Sequence, residues 1–144
     1  MTTVQNIKHC FNTPEIYQLL SECMYMPTWD KLAARANEYM SNDAIHIFGS
    51  YDNKRITGII VINHNQDGSH EIKEIAVAPE YRNRGIGKGL IQYVCDELSI
   101  SMLYAETDDD AVDFYRHCGF ETQEFIRIFE TGEYKRYKCL LHPE

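Results

Sequence analysis

The sequence predicts a mixed α/β fold, with a central, mostly antiparallel sheet of six to seven strands flanked by about four helices. Three observations carry that expectation. Strand-like and helical patterns alternate along the chain. Three β-rich runs, residues 45–51, 56–63 and 71–78, follow one another across turn-length segments, as in an antiparallel meander. The apolar run Ile75-Ala76-Val77-Ala78-Pro79 then passes through Arg82-Asn83-Arg84-Gly85-Ile86-Gly87-Lys88-Gly89 into a helical pattern over residues 90–98. A strand, helix, strand unit of that kind is a right-handed parallel crossover, which embeds one parallel pair in the sheet.

The elements follow in order. Thr13-Pro14-Glu15 reads as an N-cap, a proline at the first helical position and an early acid, ahead of Ile16, Leu19, Leu20 and Cys23 on one helical face. Pro27-Thr28 restarts the chain into a second helix through Leu32, Ala33, Ala36, Tyr39 and Met40, ending near Asn42. Asp52-Asn53-Lys54 has turn composition and joins the first two strand runs as a hairpin. Leu90, Ile91, Val94 and Leu98 recur at helical spacing with Asp96 and Glu97 between them. Residues 102–106 read as a short strand, and Ala111, Val112, Phe114, Tyr115 and Cys118 as a helix stopped by Gly119. Residues 121–129 and 134–141 form a last hairpin around Thr131-Gly132.

Composition narrows the functional classes. At 144 residues and 44% hydrophobic content, the chain is expected to form a single domain over residues 1–144. The longest apolar run, Ile59-Ile60-Val61-Ile62, is far too short to cross a bilayer, and no apolar N-terminal leader is evident. A soluble, cytoplasmic protein without membrane association is expected. Five cysteines at irregular spacing, with no Cys-x-x-Cys, fit reduced thiols better than a disulfide framework or a zinc site, so no metal is expected. A net charge of −8 disfavours nucleic acid as a partner and mildly favours a cationic acceptor such as an amine.

Against that acidic background Arg82, Arg84 and Lys88 surround a glycine-containing turn at a helix start. Unpaired N–H groups at the positive end of a helix dipole suit a phosphate, and glycine lets it approach the backbone. Spacing excludes two nucleotide motifs. Lys88 is followed by Gly89, so the magnesium-binding hydroxyl of a P-loop is missing, and Leu90 stands where a dinucleotide fingerprint needs its third glycine.

The segment Glu71-Ile72-Lys73-Glu74-Ile75-Ala76-Val77-Ala78-Pro79-Glu80-Tyr81-Arg82-Asn83-Arg84-Gly85-Ile86-Gly87 resembles the acetyl-CoA-binding motif of the GNAT superfamily of N-acetyltransferases. In its Arg/Gln-x-x-Gly-x-Gly/Ala loop, Arg82, Gly85 and Gly87 fill the fixed positions. Downstream, Asp108-Asp109-Asp110-Ala111-Val112-Asp113-Phe114-Tyr115-Arg116-His117-Cys118-Gly119-Phe120 is similar to the family's Asn-x-x-Ala-x-x-Phe-Tyr-x-x-x-Gly-Phe motif.

The resemblance implies an acetyl-CoA-dependent N-acetyltransferase, with acetyl-CoA as co-substrate and a small-molecule or peptide amine as acceptor. It assigns the pantetheine arm to the backbone of Ile75, Ala76 and Val77, and the pyrophosphate to Arg82, Asn83, Arg84, Gly85, Ile86, Gly87 and Lys88. Tyr115 matches the tyrosine that protonates the departing thiolate, a sensible role for a phenol that is protonated at neutral pH. Asp108 stands where the family's asparagine contacts the cofactor, and it lacks the amide donor. Glu71 and Glu74 are the candidate bases, with a water relay as the alternative; strand alternation sets them on opposite faces unless a β-bulge intervenes.

Family inference builds the acceptor site from the first two helices, their connection and the last hairpin. Trp29, Tyr25, Asp30 and Glu38 could line an amine pocket, although core packing is the expected use of the cluster from Met24 to Trp29. Members are often dimers, but no exposed apolar stripe in the sequence marks an interface. A non-catalytic acyl-CoA sensor is the competing reading, and a toxin-like member acting on aminoacyl-tRNA would want a more basic surface.

Overall fold

The computed structural model describes residues 2–143. Seven strands form one sheet in the order β1-β2-β3-β4-β5-β7-β6. They are β1 (Thr2–Asn6), β2 (Ile45–Asp52), β3 (Arg55–His64), β4 (His70–Val77), β5 (Leu103–Thr107), β6 (Glu121–Phe129) and β7 (Gly132–Leu141). Four helices pack on it: α1 (Pro14–Ser21), α2 (Trp29–Ser41), α3 (Ile86–Glu97) and α4 (Val112–His117). All neighbouring strands run antiparallel except β4 and β5. The predicted fold class, helix count and crossover are therefore present.

The helix starts follow local chemistry. Thr13 and Thr28 each accept a backbone N–H through the side chain, from Ile16 and Lys31, and so cap α1 and α2. At the end of α4, Gly119 N–H donates to the Arg116 carbonyl and Phe120 N–H to the Tyr115 carbonyl, a Schellman closure. Phe120 then packs edge-on against Tyr115 at 5.3 Å between ring centroids, which fixes that tyrosine on the helix.

Strand β3 explains how the core divides. Its run Ile59-Ile60-Val61-Ile62 is buried on both faces, as expected for a central strand covered by helices on either side. Ile60 and Ile62 pack with Leu90, Ile91 and Val94 of α3, whereas Ile59 and Val61 pack with Ile16, Leu20, Leu32 and Ala36 of α1 and α2.

Three features depart from the sequence reading. Strand β1 was not anticipated, because an edge strand of largely exposed polar residues has no apolar alternation to reveal it. Tyr25, Met26 and Trp29 are exposed rather than core, with Trp29 meeting Tyr17 edge-on. The last hairpin does carry exposed apolar side chains, namely Ile126, Ile128, Phe129 and Tyr134. Among the described residues, no helix is long and apolar enough to cross a membrane, and no group of side chains is placed to hold a metal ion.

At the far end of β3 and β4, His64 and His70 stack with centroids 4.3 Å apart. His70 is buried and its Nδ1 has no partner among the described residues. Burial and the neighbouring histidines lower the His70 pKa, and burial, Lys8 and His64 lower that of His46. These groups resist protonation in the fold but not in the unfolded chain, whose histidines titrate near about 6.5. Stability is complete above that pH and falls below it as the unfolded state takes up protons. Thermal melts at pH 7.5 and 5.5 should therefore show acid destabilisation that is smaller in His70→Gln; an equal loss in both proteins would refute the assignment.

Candidate active site

The sheet opens where β4 meets β5. Only His70 and Glu71 of β4 pair with Leu103 and Tyr104, so β4 runs on from Ile72 to Val77 with no β5 partner. A cleft of about 760 Å³ occupies the gap. Its lining includes Ile72–Val77 of the strand, the turn from Tyr81 to Lys88 except Arg84, and Phe114, Tyr115, His117 and Cys118 from the α4 region, together with Glu22, Cys23 and Glu106.

The Ile75 carbonyl accepts from Cys23 Sγ at 3.5 Å and the Val77 carbonyl from Arg82 Nε at 3.1 Å, neither of which belongs to β3. In an antiparallel strand a residue's N–H and C=O point the same way, so both residues turn their peptide groups toward the gap.

The start of α3 forms one end of the cleft. Gly85 is the N-cap with φ of +78°, a left-handed conformation that favours glycine, and no side chain caps the helix. The first intrahelical bond to the cap is Gly89 N–H to the Gly85 carbonyl, leaving the N–H groups of Ile86, Gly87 and Lys88 unpaired among the described residues. Gly87 is required for a different reason: a Cβ there would lie 2.8 Å from the Phe114 ring, so α4 packs directly on the α3 backbone.

The basic side chains of this turn are not equivalent. Arg82 is tied to Glu22 and to the Val77 carbonyl, and Arg84 lies over the Tyr81 ring at 5.1 Å without lining the cleft. Lys88 does line it.

Strand β4 carries the bulge on which the glutamates depend. Val61 faces Glu74 and Ile62 faces Ile72, so Lys73 is the extra residue. Ile72 and Ile75 both join the α3-side core as a result, and Glu71 and Glu74 share the other face. Their surroundings differ. Glu74 is buried, lines the cleft and accepts at Oε1 from Arg35 Nη1 (2.8 Å) and the Tyr39 hydroxyl (3.1 Å). Its Oε2 has no protein partner among the described residues. Burial raises its pKa, and Arg35 and Tyr39 offset this only in part. Glu71 lies outside the cleft lining, with Lys73 Nζ at 3.7 Å and the Tyr104 hydroxyl at 3.5 Å.

Tyr115 lines the cleft, and its hydroxyl has no protein partner among the described residues. Burial, reinforced by nearby thiols and Glu74, raises its pKa well above the usual phenol value, so it is a firmly protonated donor. Asp108 does not line the cleft. Its Oδ1 accepts the N–H groups of Asp110 and Ala111 at 3.0 and 3.2 Å, leaving that carboxylate oxygen engaged in its own turn.

The sequence reading missed Glu22, Cys23, Arg35, Tyr39 and Glu106. Cys23 fell on the predicted apolar face of α1, but lies just past the helix, where burial and the Glu74 charge push its thiol up to about 12. Burial also raises Cys118.

Comparison with known proteins bears on the family and the fold. Residues 13–120 match the acetyltransferase (GNAT) family. An aminoglycoside 6′-N-acetyltransferase complexed with coenzyme A superposes with a TM-score of 0.81 at 15% identity, covering 99% of this chain and 98% of that one. A variant of the Vibrio cholerae spermidine N-acetyltransferase gives 0.76 at 19% identity over 98% and 93%. The Escherichia coli ribosomal-protein-S18-alanine N-acetyltransferase gives 0.75 at 20% over 99% and 94%. At these identities the likeness is one of fold. An uncharacterized Mycobacterium leprae protein is 37% identical over 67 residues, 44% of this chain but 19% of its own length. With three quarters of its sequence inside the family match, and with a sheet parted beside an uncapped helix start, this chain belongs to the GNAT acetyltransferase family.

Proposed function

We propose that the chain acts as a single domain that transfers the acetyl group of acetyl-CoA directly to a primary amine of a small molecule or peptide. The observation that carries this reading is the cleft itself, which runs from the three unpaired N–H groups of α3 to the Tyr115 hydroxyl and the Glu74 carboxylate. The N–H groups of Ile86, Gly87 and Lys88 hold the pyrophosphate, with Lys88 adding charge. The peptide groups of Ile75 and Val77 pair with the pantetheine arm as a missing β5 partner would, and a strand N–H polarises the thioester carbonyl.

Glu74 is the base, taking a proton at Oε2 directly or through one water, because it is in the cleft and Glu71 is not. As the C–N bond forms and the C–S bond breaks, Tyr115 gives its proton to the leaving sulfur. Two cysteines line the cleft, but both are raised and therefore poor thiolates, which favours direct transfer over an acetyl-cysteine.

The test is thiol release from acetyl-CoA with a panel of primary amines, in wild type and Gly85→Glu. The glutamate puts bulk and negative charge at the α3 start, and about a hundredfold or greater loss of acetyl-CoA affinity is expected, with the fold intact by circular dichroism. Unchanged affinity would sink the phosphate assignment.

A further inference from the structure

Around Glu106, one of the residues lining the cleft, the local charge is opposite in sign to that of the whole chain. Leu103 and Ala105 of β5 face the α3-side core, so Glu106 between Ala105 and Thr107 faces the α1 and α2 side, where it lines the cleft. Arg127 of β6 donates to Glu106 through Nε (3.0 Å) and Nη2, and Arg136 of β7 donates through Nε at 3.1 Å. Burial works to raise Glu106, yet the two arginines overcome it and hold the carboxyl below its ordinary value.

The group therefore carries one carboxylate and two guanidiniums, a net positive charge, in a chain of net charge −8; Glu106 lines the cleft, and the two arginines bind it from outside the lining. Lys138 adds a further cation over the Tyr104 ring, 5.4 Å from its centre. The glutamate orders both forks while leaving donors over. Arg127 Nη1 and both Nη atoms of Arg136 have no protein partner among the described residues. A lone ammonium approaching Glu106 meets two cations already bound to it, whereas an anionic oxygen meets oriented, charged N–H donors.

Resting on the acetyl-transfer reading, we infer that the acceptor is an amine that also bears an anionic group, and that Arg127 and Arg136, braced by Glu106, recognise that anion. Arg127 and Arg136 are specificity-determining residues. A carboxylate and a phosphate share the chemistry, and matched acceptors separate them.

The experiment compares kcat/KM for L-phenylalanine against phenethylamine, for O-phosphoethanolamine against ethanolamine, and for spermidine. At least about a tenfold preference for the anionic member of one pair is expected, and Arg136→Gln should bring that ratio to within about threefold of unity. A preference for spermidine or the neutral amines, or an unchanged ratio in Arg136→Gln, overturns the inference.

Absence of acetyl transfer to every amine would instead overturn the functional reading. The arginine site is then judged separately, by NMR of arginine Nε–H signals in CoA-saturated protein titrated with sodium acetate, inorganic phosphate or sodium chloride. Saturable shifts at Arg127 and Arg136 with acetate or phosphate alone support the anion site, and their absence refutes it.

Discussion

Replacing Tyr115 by phenylalanine should lower kcat for amine acetylation by about a hundredfold or more while acetyl-CoA affinity stays within about threefold. The separation follows from the geometry. The Tyr115 ring packs edge-on between Phe114 (5.2 Å) and Phe120 (5.3 Å), contacts that phenylalanine keeps. Among the described residues the hydroxyl has no hydrogen-bond partner, so its removal deletes a donor and breaks no network there. With the phenol gone, the sulfur must leave as a free thiolate or take its proton from water. Steady-state kinetics with parallel CoA calorimetry decides the matter; wild-type kcat in the variant would remove Tyr115 from the mechanism.

The second large effect is expected at Glu74. Glutamine keeps an oxygen to accept from Arg35 and Tyr39, so the α2 contact survives while the basic oxygen is lost. A fall in kcat/KM of about a hundredfold near neutral pH is expected. Because the carboxyl pKa is raised, wild-type activity should climb with pH through that raised value, as the proton leaves and the base becomes available. Glu74→Gln should lack this acidic limb, and its deficit should narrow at high pH, where the amine arrives unprotonated. Glu71→Gln, altering a carboxylate outside the cleft, is the comparison. If it carries the larger loss and Glu74→Gln keeps the acidic limb, the assignment is reversed.

The parts of this site legible in the sequence are those encoded by short-range chemistry. Gly85, Gly87 and the helix that follows sit within a few residues of one another, and the Phe114-Tyr115 to Gly119-Phe120 motif closes on itself through the Schellman bonds. Thr13 and Thr28 announced their helices in the same way. The role of Asp108 was also open to local reading, since an aspartate before a helix commonly accepts the N–H groups two and three residues on.

Long-range features were not legible. Glu74 depends on the extra residue Lys73 and on Arg35 and Tyr39, more than thirty residues away, and alternation alone left its face undecided. Arg127 and Arg136 meet Glu106 only because β7 lies between β5 and β6. Charge is subject to the same distance effect: the whole-chain value of −8 says nothing of the two arginines that the sheet order brings onto Glu106.

Direct transfer inside the cleft is the central claim, and intact-protein mass spectrometry after incubation with acetyl-CoA alone, followed by addition of an acceptor amine, tests it. Unchanged protein mass and negligible thiol release are expected before the amine is added, then CoA thiol and acetylated amine in equal amounts. An acetyl group retained on Cys23 or Cys118, or thiol release that does not need the amine, would contradict it.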